Sequence, residues 1–312
     1  MTITASHPAT ATLSTGWSAL PPEYAIPEAA PSEAEAREYC RRLARSHYEN
    51  FSVATWFLPE RLRQHFCNVY AYCRISDDLG DDVGDTTASL QLLDQWEAEL
   101  TACYDGHPRH PVFVALAETV RKFEIPKQEF ADLLTAFRQD QTVLRYETFA
   151  DLLGYCRYSA NPVGHLVLYL CAYRDPERRQ FSDYTCTALQ LANFWQDVSV
   201  DYAKGRVYLP LEDLRRFRVR EEEISASRNT PAFREMMRFE VERAREWFTQ
   251  GRPLAGKVGR ELAIDIELFS RGGLEILTAI ARQDYAVLGR RPAISKTRKL
   301  ALVARAALGK LL

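Results

Sequence analysis

The hydrophobic positions of this chain recur mostly at intervals of three and four residues, the spacing that places them on one face of an α-helix. One such stripe runs from Leu90 through Leu93, Trp96 and Leu100, and only Glu97 interrupts it. Alternating patterns typical of strands are scarce, and no glycine-rich turn follows a predicted strand. The pattern therefore predicts an all-α fold and gives little support to an α/β nucleotide-binding fold.

Local signals predict where several helices begin. Ser32 and Glu35 have the spacing of a capping box, which predicts a helix through about Ser46. Residues 104–108 and 252–253 contain turn-forming residues and are predicted to be connections. Proline suits the first helical position because it has no amide hydrogen to donate. Further helices are predicted to begin at Pro59, Pro111 and Pro126.

The composition is that of one large globular domain. With 312 residues, 46% of them apolar, the chain can bury a substantial core. Its 40 basic side chains nearly cancel 42 acidic ones, and the formal charge of -2 argues against nucleic acid as a partner. The seven cysteines form no C-x-x-C pair, as is typical of a reduced, cytoplasmic protein.

The two ends of the chain differ from the main domain, which we expect at residues 32–295. Residues 1–31 are rich in Ala, Thr, Ser and Pro and lack the basic start and apolar core of a signal peptide, so we expect a flexible N-terminal arm. Residues 296–312 form a basic amphipathic segment. Two alternatives fit this segment equally: peripheral contact with an anionic inner membrane, and a terminal helix packed on the body. No run of about 18 apolar residues predicts a spanning helix.

Acidic and amide side chains recur at helical spacing in two separate segments. Asp77 and Asp81 are four residues apart, which places their carboxylates on one helical face, about 6 Å apart. In the second segment, Asn193, Asp197 and Asp201 follow one another at the same interval and present three oxygen ligands along one stripe. Either segment alone is also compatible with an ordinary solvated face. Large apolar residues flank both, so together they indicate acidic stripes that border a buried region.

Like charges at this spacing destabilise a helix, so a ligand is expected to offset them. Carboxylate and amide oxygens suit Mg²⁺, which takes a few protein oxygens together with water and substrate phosphate. Zinc fits poorly because the Cys and His residues are not clustered, and the Asp-Gly run lacks the alternation of a calcium loop. Arg74 and Tyr70 precede Asp77 by three and seven residues and therefore share its face.

At these residues the chain resembles the squalene/phytoene synthase family, the head-to-head branch of class I isoprenoid synthases, over roughly positions 40–300. The resemblance implies a single-domain helical bundle around a central cavity. The matching segments are HYENF at 47–51, LPE at 58–60, YAYCR at 70–74, DDLGD at 77–81, YCRYSA at 155–160, VG at 163–164, residues 193–201, GRVYLP at 205–210, LGRR at 288–291 and SK at 295–296.

The resemblance also implies the roles of individual residues. Two or three Mg²⁺ ions bridged to diphosphate would be held by Asp77, Asp81, Asn193, Asp197 and Asp201. The four aspartates of this set are implied catalytic residues, as is Tyr155, the position tied to proton movement near a carbocation. Substrate binding is implied for His47, Asn50, Phe51, Tyr70, Arg74, Gln190, Arg206, Tyr208 and Arg290. Among these, Arg206 and Tyr208 resemble residues that close the site, and Phe51 and Tyr70 resemble residues that line a prenyl channel, although packing in the core is an equal alternative for these two aromatic side chains.

Three departures from the family pattern refine this expectation. Glu49 and Gln196 stand where relatives that join two prenyl diphosphates carry cations, so the chain replaces two cations with one anion and one neutral side chain. Because each diphosphate needs charge compensation, the change favours a site for one diphosphate. Gly273 stands where relatives often carry Tyr and is expected to leave room for water.

The departures resemble the bacterial branch of the family that forms hydroxysqualene in the hopanoid pathway. This resemblance predicts magnesium-dependent conversion of presqualene diphosphate to hydroxysqualene, without a nicotinamide cofactor. It also predicts hand-off with a presqualene diphosphate synthase and a separate reductase. The alternatives are condensation of two farnesyl or geranylgeranyl diphosphates, squalene formation with NADPH, and a non-catalytic helical assembly or membrane-surface protein of the same fold.

Overall fold

The computed structural model describes residues 17, 20–46, 59–295, 297–298, 300–302 and 304. Within these residues every extended element of secondary structure is a helix, and the only β-type pairing is an isolated bridge between Arg145 and Val207. The prediction of an all-α fold is therefore confirmed. The α-helices are α1 Glu33–Ser46, α2 Glu60–Asp81, α3 Thr86–Asp105, α4 Pro111–Phe123, α5 Lys127–Gln139, α6 Phe149–Ser159, α7 Asn161–Leu170, α8 Pro176–Ala203, α9 Leu211–Arg216, α10 Glu221–Ser225, α11 Pro231–Gly251 and α12 Arg260–Arg282.

The predicted start of α1 is confirmed. The backbone amide of Ser32 donates to Glu35 at 2.9 Å, and the amide of Glu35 donates to the Ser32 hydroxyl at 3.3 Å. This reciprocal pairing satisfies two amides that have no partner inside the helix. Pro111 is also the first residue of its helix, as predicted.

Other boundaries differ slightly from the prediction. Pro59 and Pro126 lie just before the first helical residue, in extended backbone, instead of within the helix. The connection predicted from residue 104 begins later, because α3 continues to Asp105 and ends where Gly106 adopts a left-handed φ of 91°. Residues 252–253 open a 3₁₀-helix, Arg252–Lys257, that joins α11 to α12.

Among the described residues the core consists of two large hydrophobic clusters and one small one, and α8 is central to the second large cluster. Trp96 of α3, from the predicted apolar stripe, is fully buried, whereas Glu97 is partly exposed and pairs with Arg138 at 2.7 Å. The second cluster includes Trp195 of α8 and packs it against α11 and α12. Since α8 also carries the second acidic segment, its buried face fixes where that segment lies.

The N-terminal arm differs from the expectation over residues 20–31. Leu20 and Tyr24 are buried, and the Tyr24 hydroxyl donates to Asp78 of α2 at 2.8 Å. The apolar surface that they cover accounts for the packing, which the composition of the arm did not indicate. The remainder of residues 1–31, except Trp17, lies outside the described residues.

The cysteines and the C-terminal segment bear on the remaining expectations. All seven cysteines are free thiols, as predicted. Within the described part of the chain, no helix combines the length and the apolar character needed to cross a membrane. Arg298, near the start of the basic segment, donates to Glu275 of α12 at 2.8 and 3.0 Å, while Leu300 is 68% exposed. The start of this segment is therefore tied to the body.

Helices α7 and α8 approach closely at Gly164. A Cβ atom placed there would collide with the Ser182 hydroxyl and would lie 2.6 Å from the Cys186 sulfur. Both side chains, which lie on α8, would have to move before a Cβ atom could fit. Glycine at this position therefore sets the separation of the two helices.

We expect Gly164→Ala to lower the free energy of unfolding by about 1–3 kcal/mol, the usual cost of overpacking a core. Gly154→Ala in α6 is a matched control, because a Cβ atom there meets nothing within 4 Å. In a helix this control change is neutral or stabilises by up to about 1 kcal/mol. Urea denaturation of both variants measures the difference. Equal stabilities for the two variants would contradict the packing role of Gly164.

Candidate active site

The two acidic segments lie next to each other at one end of the bundle. Asp81, at the end of α2, accepts hydrogen bonds at 2.8 Å from both Lys204 and Arg206. These two cations follow directly after α8, which carries Asp197 and Asp201 in its last two turns. The end of the first acidic helix therefore abuts the end of the second.

Mutual repulsion between the carboxylates appears in their ionisation. The pKa of Asp77 is raised to about 6, first by burial and then by the charge of Asp81. The pKa of Asp201 is raised to about 7 by burial, then by Asp197, with a further contribution from Asp81 on the facing helix. Burial also acts to raise the pKa of Asp81, but the hydrogen bonds from Lys204 and Arg206 outweigh it and lower that pKa. Negative charge at this site is therefore only partly compensated by the protein.

A third cation reaches the site from the far end of the chain. Arg291 donates to both carboxylate oxygens of Asp197, at 2.9 Å for the Nη2–Oδ2 contact, and its Nη2 also lies 3.2 Å from the Gln196 amide oxygen. The Gln196 amide nitrogen donates to the Pro292 carbonyl at 2.6 Å. Residues 288–292, which we call the 288–292 segment, are thereby fastened along α8.

Arg74 lies beside the first acidic stripe but is held mainly by a neighbour. Its Nη1 lies 3.6 Å from Asp77, whereas its Nε donates to Asp78 at 3.0 Å and its Nη2 forms a second, shorter contact with the same carboxylate. Asp78 is buried and also accepts from Tyr24. Asp78 thus orients the guanidinium, and it lies four residues after Arg74, a spacing that brings the two side chains together on the helix surface.

An aromatic cluster packs next to the carboxylates. The cluster consists of Tyr146, Tyr155, Phe194 and Tyr208, and the rings of Phe194 and Tyr208 stack at a centroid distance of 3.9 Å. The ring centroids of Tyr155 and Tyr208 lie 5.6 Å apart. Both predicted tyrosines are therefore brought together, with Phe194 placing the cluster against the acidic stripe of α8.

A buried carboxylate that sequence reasoning missed connects these tyrosines. Asp140, the residue after α5, accepts from the Tyr155 hydroxyl at 2.8 Å and from the Tyr208 hydroxyl at 3.0 Å. It lies 68 residues from Tyr208 along the chain. Asp140 has no acidic neighbour at helical spacing, so the signal that revealed the other aspartates was absent.

A central cavity of about 270 Å³ lies among α2, α7, α8 and α12. Tyr70 lines it, two turns before Asp77, and Leu189 lines it, one turn before Asn193, so the cavity adjoins the acidic stripes. Its walls are almost entirely apolar, with Phe66, Val167 and Phe269 among them. The space is suited to a hydrocarbon whose polar end reaches the carboxylates.

The other predicted site residues have different positions. On α8, Gln190 is half-buried and Asn193 is exposed on the same side as the acidic stripe, and Arg290 is exposed in the 288–292 segment. It is Arg291, and not Arg290, that contacts an acidic residue. Four sequence positions with predicted roles lie outside the described residues: His47, Glu49, Asn50 and Phe51.

The space beside Gly273 differs from the expectation. A Cβ atom at Gly273 would collide with the ring of Phe248 and would lie 3.0 Å from Leu189. The room that a missing Tyr side chain was expected to leave for water is therefore filled by a neighbouring phenylalanine. Sequence alone did not place Phe248, on α11, against α12 at this point.

The donor set fits a hard divalent cation. Among the described residues no three His, Cys, Asp or Glu side chains converge closely enough to hold an ion on their own. Mg²⁺ does not require such a cage, because it keeps water and substrate oxygens among its ligands. The partly compensated carboxylates, and the cations already drawn onto Asp81 and Asp197, indicate a demand for positive charge that Mg²⁺ would meet.

Comparison with known proteins gives the family of the chain. A sequence model described as squalene/phytoene synthase matches residues 44–298. Among solved structures, the chain is similar to squalene synthase HpnC from Alicyclobacillus acidocaldarius, with 44% identity and a TM-score of 0.77 over 86% of this chain and 98% of that one. A dehydrosqualene synthase structure matches with 26% identity and a TM-score of 0.80, over 88% and 96%.

The curated relatives include plant and cyanobacterial enzymes. The phytoene synthase of Arthrospira platensis is 30% identical over 282 residues, which cover 86% of this chain and 91% of the relative. The 15-cis-phytoene synthase of Synechocystis sp. is 31% identical over 288 residues, covering 88% and 86%. Since the matched region includes both acidic helices, the aromatic cluster and the cavity, the chain belongs to the squalene/phytoene synthase family.

Proposed function

We propose that this protein converts presqualene diphosphate to hydroxysqualene and diphosphate, with Mg²⁺ as cofactor. The observation that carries this proposal is the burial and hydrogen bonding of Gln196. Its amide nitrogen and its amide oxygen are both engaged by the 288–292 segment, and only 6% of the residue is exposed. The position therefore offers no charge to a second diphosphate, and it is committed to holding Arg291 beside Asp197.

Departure of the diphosphate is the first step that the residues support. When bound, Mg²⁺ would polarise the diphosphate oxygens as a Lewis acid. The residues that would hold Mg²⁺ are Asp77 and Asp81 on α2 and Asn193, Asp197 and Asp201 on α8. Lys204, Arg206 and Arg291 surround the same carboxylates. Once released from those contacts, their charges are available to the leaving group. Such fixed cations stabilise the charge that develops as the carbon–oxygen bond breaks.

The remaining residues suit the carbocation that ionisation leaves. The apolar walls of the cavity offer water no hydrogen-bond partners, which disfavours premature capture of the cation. The faces of the aromatic cluster carry negative electrostatic potential, and a cation beside them is stabilised. After rearrangement, addition of one water molecule forms the new carbon–oxygen bond, and loss of one proton gives the neutral alcohol. No reductant is needed for this sequence.

The relatives bear on the alternatives. The phytoene and dehydrosqualene synthases favour a second candidate, head-to-head condensation of two prenyl diphosphates. The higher identity to a protein described as squalene synthase favours chemistry on the squalene side of the family. A non-catalytic assembly is disfavoured because it would retain crowded carboxylates at a cost in stability with no ligand to offset it.

We also propose where the reaction takes place. A cytoplasmic protein would receive presqualene diphosphate from an enzyme that condenses two farnesyl diphosphates, and would pass its product to a separate reductase. The very low water solubility of both molecules favours peripheral contact with a membrane, and the basic segment at 296–312 is the part of the chain suited to anionic lipid.

Mass spectrometry of the products tests the reaction directly. We expect purified protein with Mg²⁺ and presqualene diphosphate to yield hydroxysqualene in equal amounts with and without NADPH, since water and not hydride captures the cation. Farnesyl diphosphate alone is the control substrate and is expected to give little turnover. Turnover of farnesyl diphosphate at the same rate, or squalene formation only when NADPH is present, would refute the assignment.

Asp201→Asn is expected to lower the rate of diphosphate release by about 10²-fold or more, because it removes one of the carboxylates that would hold Mg²⁺. The matched control is Asp94→Asn, whose side chain is 73% exposed on α3, and it should leave the rate unchanged. A coupled diphosphate assay at saturating Mg²⁺ measures both variants. Equal rates in the two variants would exclude the acidic stripe of α8 from catalysis.

Restoring cations at the two departing positions tests the argument for a single diphosphate. In Glu49→Lys with Gln196→Arg, we expect a second inorganic diphosphate to bind in the presence of Mg²⁺, because two cations now compensate its charge. Glu49→Gln with Gln196→Leu is the control, which alters the same positions without adding a cation. Isothermal titration calorimetry gives the number of sites, and identical titrations for the two variants would count against the charge argument.

A further inference from the structure

Asp140 occupies the centre of a hydrogen-bonded junction between three separate parts of the chain. It follows α5, Tyr155 lies on α6, and Tyr208 lies in the connection after α8. Each of its two carboxylate oxygens accepts one phenolic hydrogen, at 2.8 and 3.0 Å. The residue is 6% exposed. Burying a carboxylate to this degree costs free energy, and its two hydrogen bonds offset part of that cost.

The charged groups that act on Asp140 belong to the acidic site. Among the described residues no Lys, Arg or His lies within ion-pair distance of Asp140. Arg206 is the nearby cation, and its charge lowers the pKa of Asp140. Arg206 also donates a hydrogen bond to Asp81, and the negative charge of Asp81 raises the pKa of Asp140. The other titratable groups in contact are the two phenols. Burial is the largest influence and raises the pKa of Asp140 to about 6.

The two hydrogen bonds determine what the phenols can do for another molecule. A phenol has one hydrogen to donate, and in Tyr155 and Tyr208 that hydrogen is committed to Asp140. Both phenol oxygens can therefore only accept a further hydrogen bond. A water molecule that donates its hydrogens to such acceptors presents its own lone pair in the opposite direction, as attack on a carbocation requires.

The location of the junction matches the place where the cation forms. Tyr208 is two residues from Arg206, and Phe194, which stacks on Tyr208, adjoins Asn193 of the predicted metal set. The junction therefore lies at the diphosphate end of the site and not at the deep hydrocarbon end. Ionisation leaves its positive charge near the carbon that carried the diphosphate, and therefore at this end of the site.

On the basis of the function proposed above, we propose that Asp140 is a positioning residue that makes Tyr155 and Tyr208 obligatory acceptors and so orients the water that captures the carbocation. The step is balanced. The water oxygen bonds to the cationic carbon, one of its protons passes to a phenol oxygen, and the proton of that phenol passes to Asp140. The products are a neutral alcohol and a protonated Asp140, which returns its proton to solvent after release.

The test separates ionisation from water capture. Diphosphate release measures ionisation, and the fraction of product that is alcohol, by mass spectrometry, measures capture. We expect Asp140→Asn to keep diphosphate release within about threefold of the parent enzyme while the ratio of alcohol to eliminated hydrocarbon falls about tenfold or more, because a hydrogen bond to a charged group contributes at least this much. Asparagine has nearly the same shape, and thermal unfolding of each variant verifies that the fold is retained.

Tyr104→Phe is the matched control, because it also removes a single phenol hydroxyl. Tyr104 lies on α3, outside the active site, and its hydroxyl donates to the Ile125 carbonyl at 2.9 Å. It should leave the product ratio unchanged. A second readout is pH: in the parent enzyme the alcohol fraction should fall as the pH drops below about 6, where Asp140 becomes protonated, and this dependence should disappear in Asp140→Asn.

The outcomes distinguish the two proposals. If the parent enzyme forms no alcohol from presqualene diphosphate, the proposed function fails whatever Asp140 does. If the parent forms alcohol and Asp140→Asn forms it in the same ratio, the positioning role is overturned and the function stands. A loss of diphosphate release with an unchanged ratio and pH profile would likewise overturn the positioning role, since it would indicate only a structural contribution.

Discussion

Repulsion between carboxylates that the fold forces together is the interaction on which the rest of this structure depends. Two helices from distant parts of the chain present their acidic stripes to one another, and burial removes the solvent that would otherwise screen them. The protein offsets part of this charge with Lys204, Arg206 and Arg291, yet the raised pKa values of Asp77 and Asp201 indicate that compensation is incomplete. The proposed divalent cation would supply the positive charge that these side chains lack.

Local information was sufficient for those features whose physical cause is local. The capping box at Ser32 and the face shared by Asp77 and Asp81 follow from helical geometry, and the structure has both. The hydrogen bonds of Asp140 join residues far apart in sequence, and no local pattern encodes them. The same limit explains Gly273, where the volume that a missing side chain vacates is decided by Phe248 on another helix.

Gln196 illustrates how one substitution can change both charge and architecture. By sequence it is only a missing cation. In the fold its amide forms hydrogen bonds in both directions with the 288–292 segment, so it holds Arg291 against Asp197. A cation at this position would meet Arg291 at close range. Gln196 therefore lacks the positive charge of the family pattern and at the same time attaches a distant segment to α8. Its charge and its position must be considered together.

The contact between Tyr24 and Asp78 gives the region before the first long helix an unexpected importance. Composition predicts that this tyrosine lies in a flexible arm, yet its hydroxyl and Arg74 share one buried carboxylate. A shortened form of the protein that begins after Tyr24 would leave that carboxylate with Arg74 as its only partner among these two, and one hydrogen bond that fixes the carboxylate would be lost. Shortening the chain for crystallisation would thus alter a contact of Arg74 and Asp78, although the sequence of the removed segment shows no sign of a link to the active site.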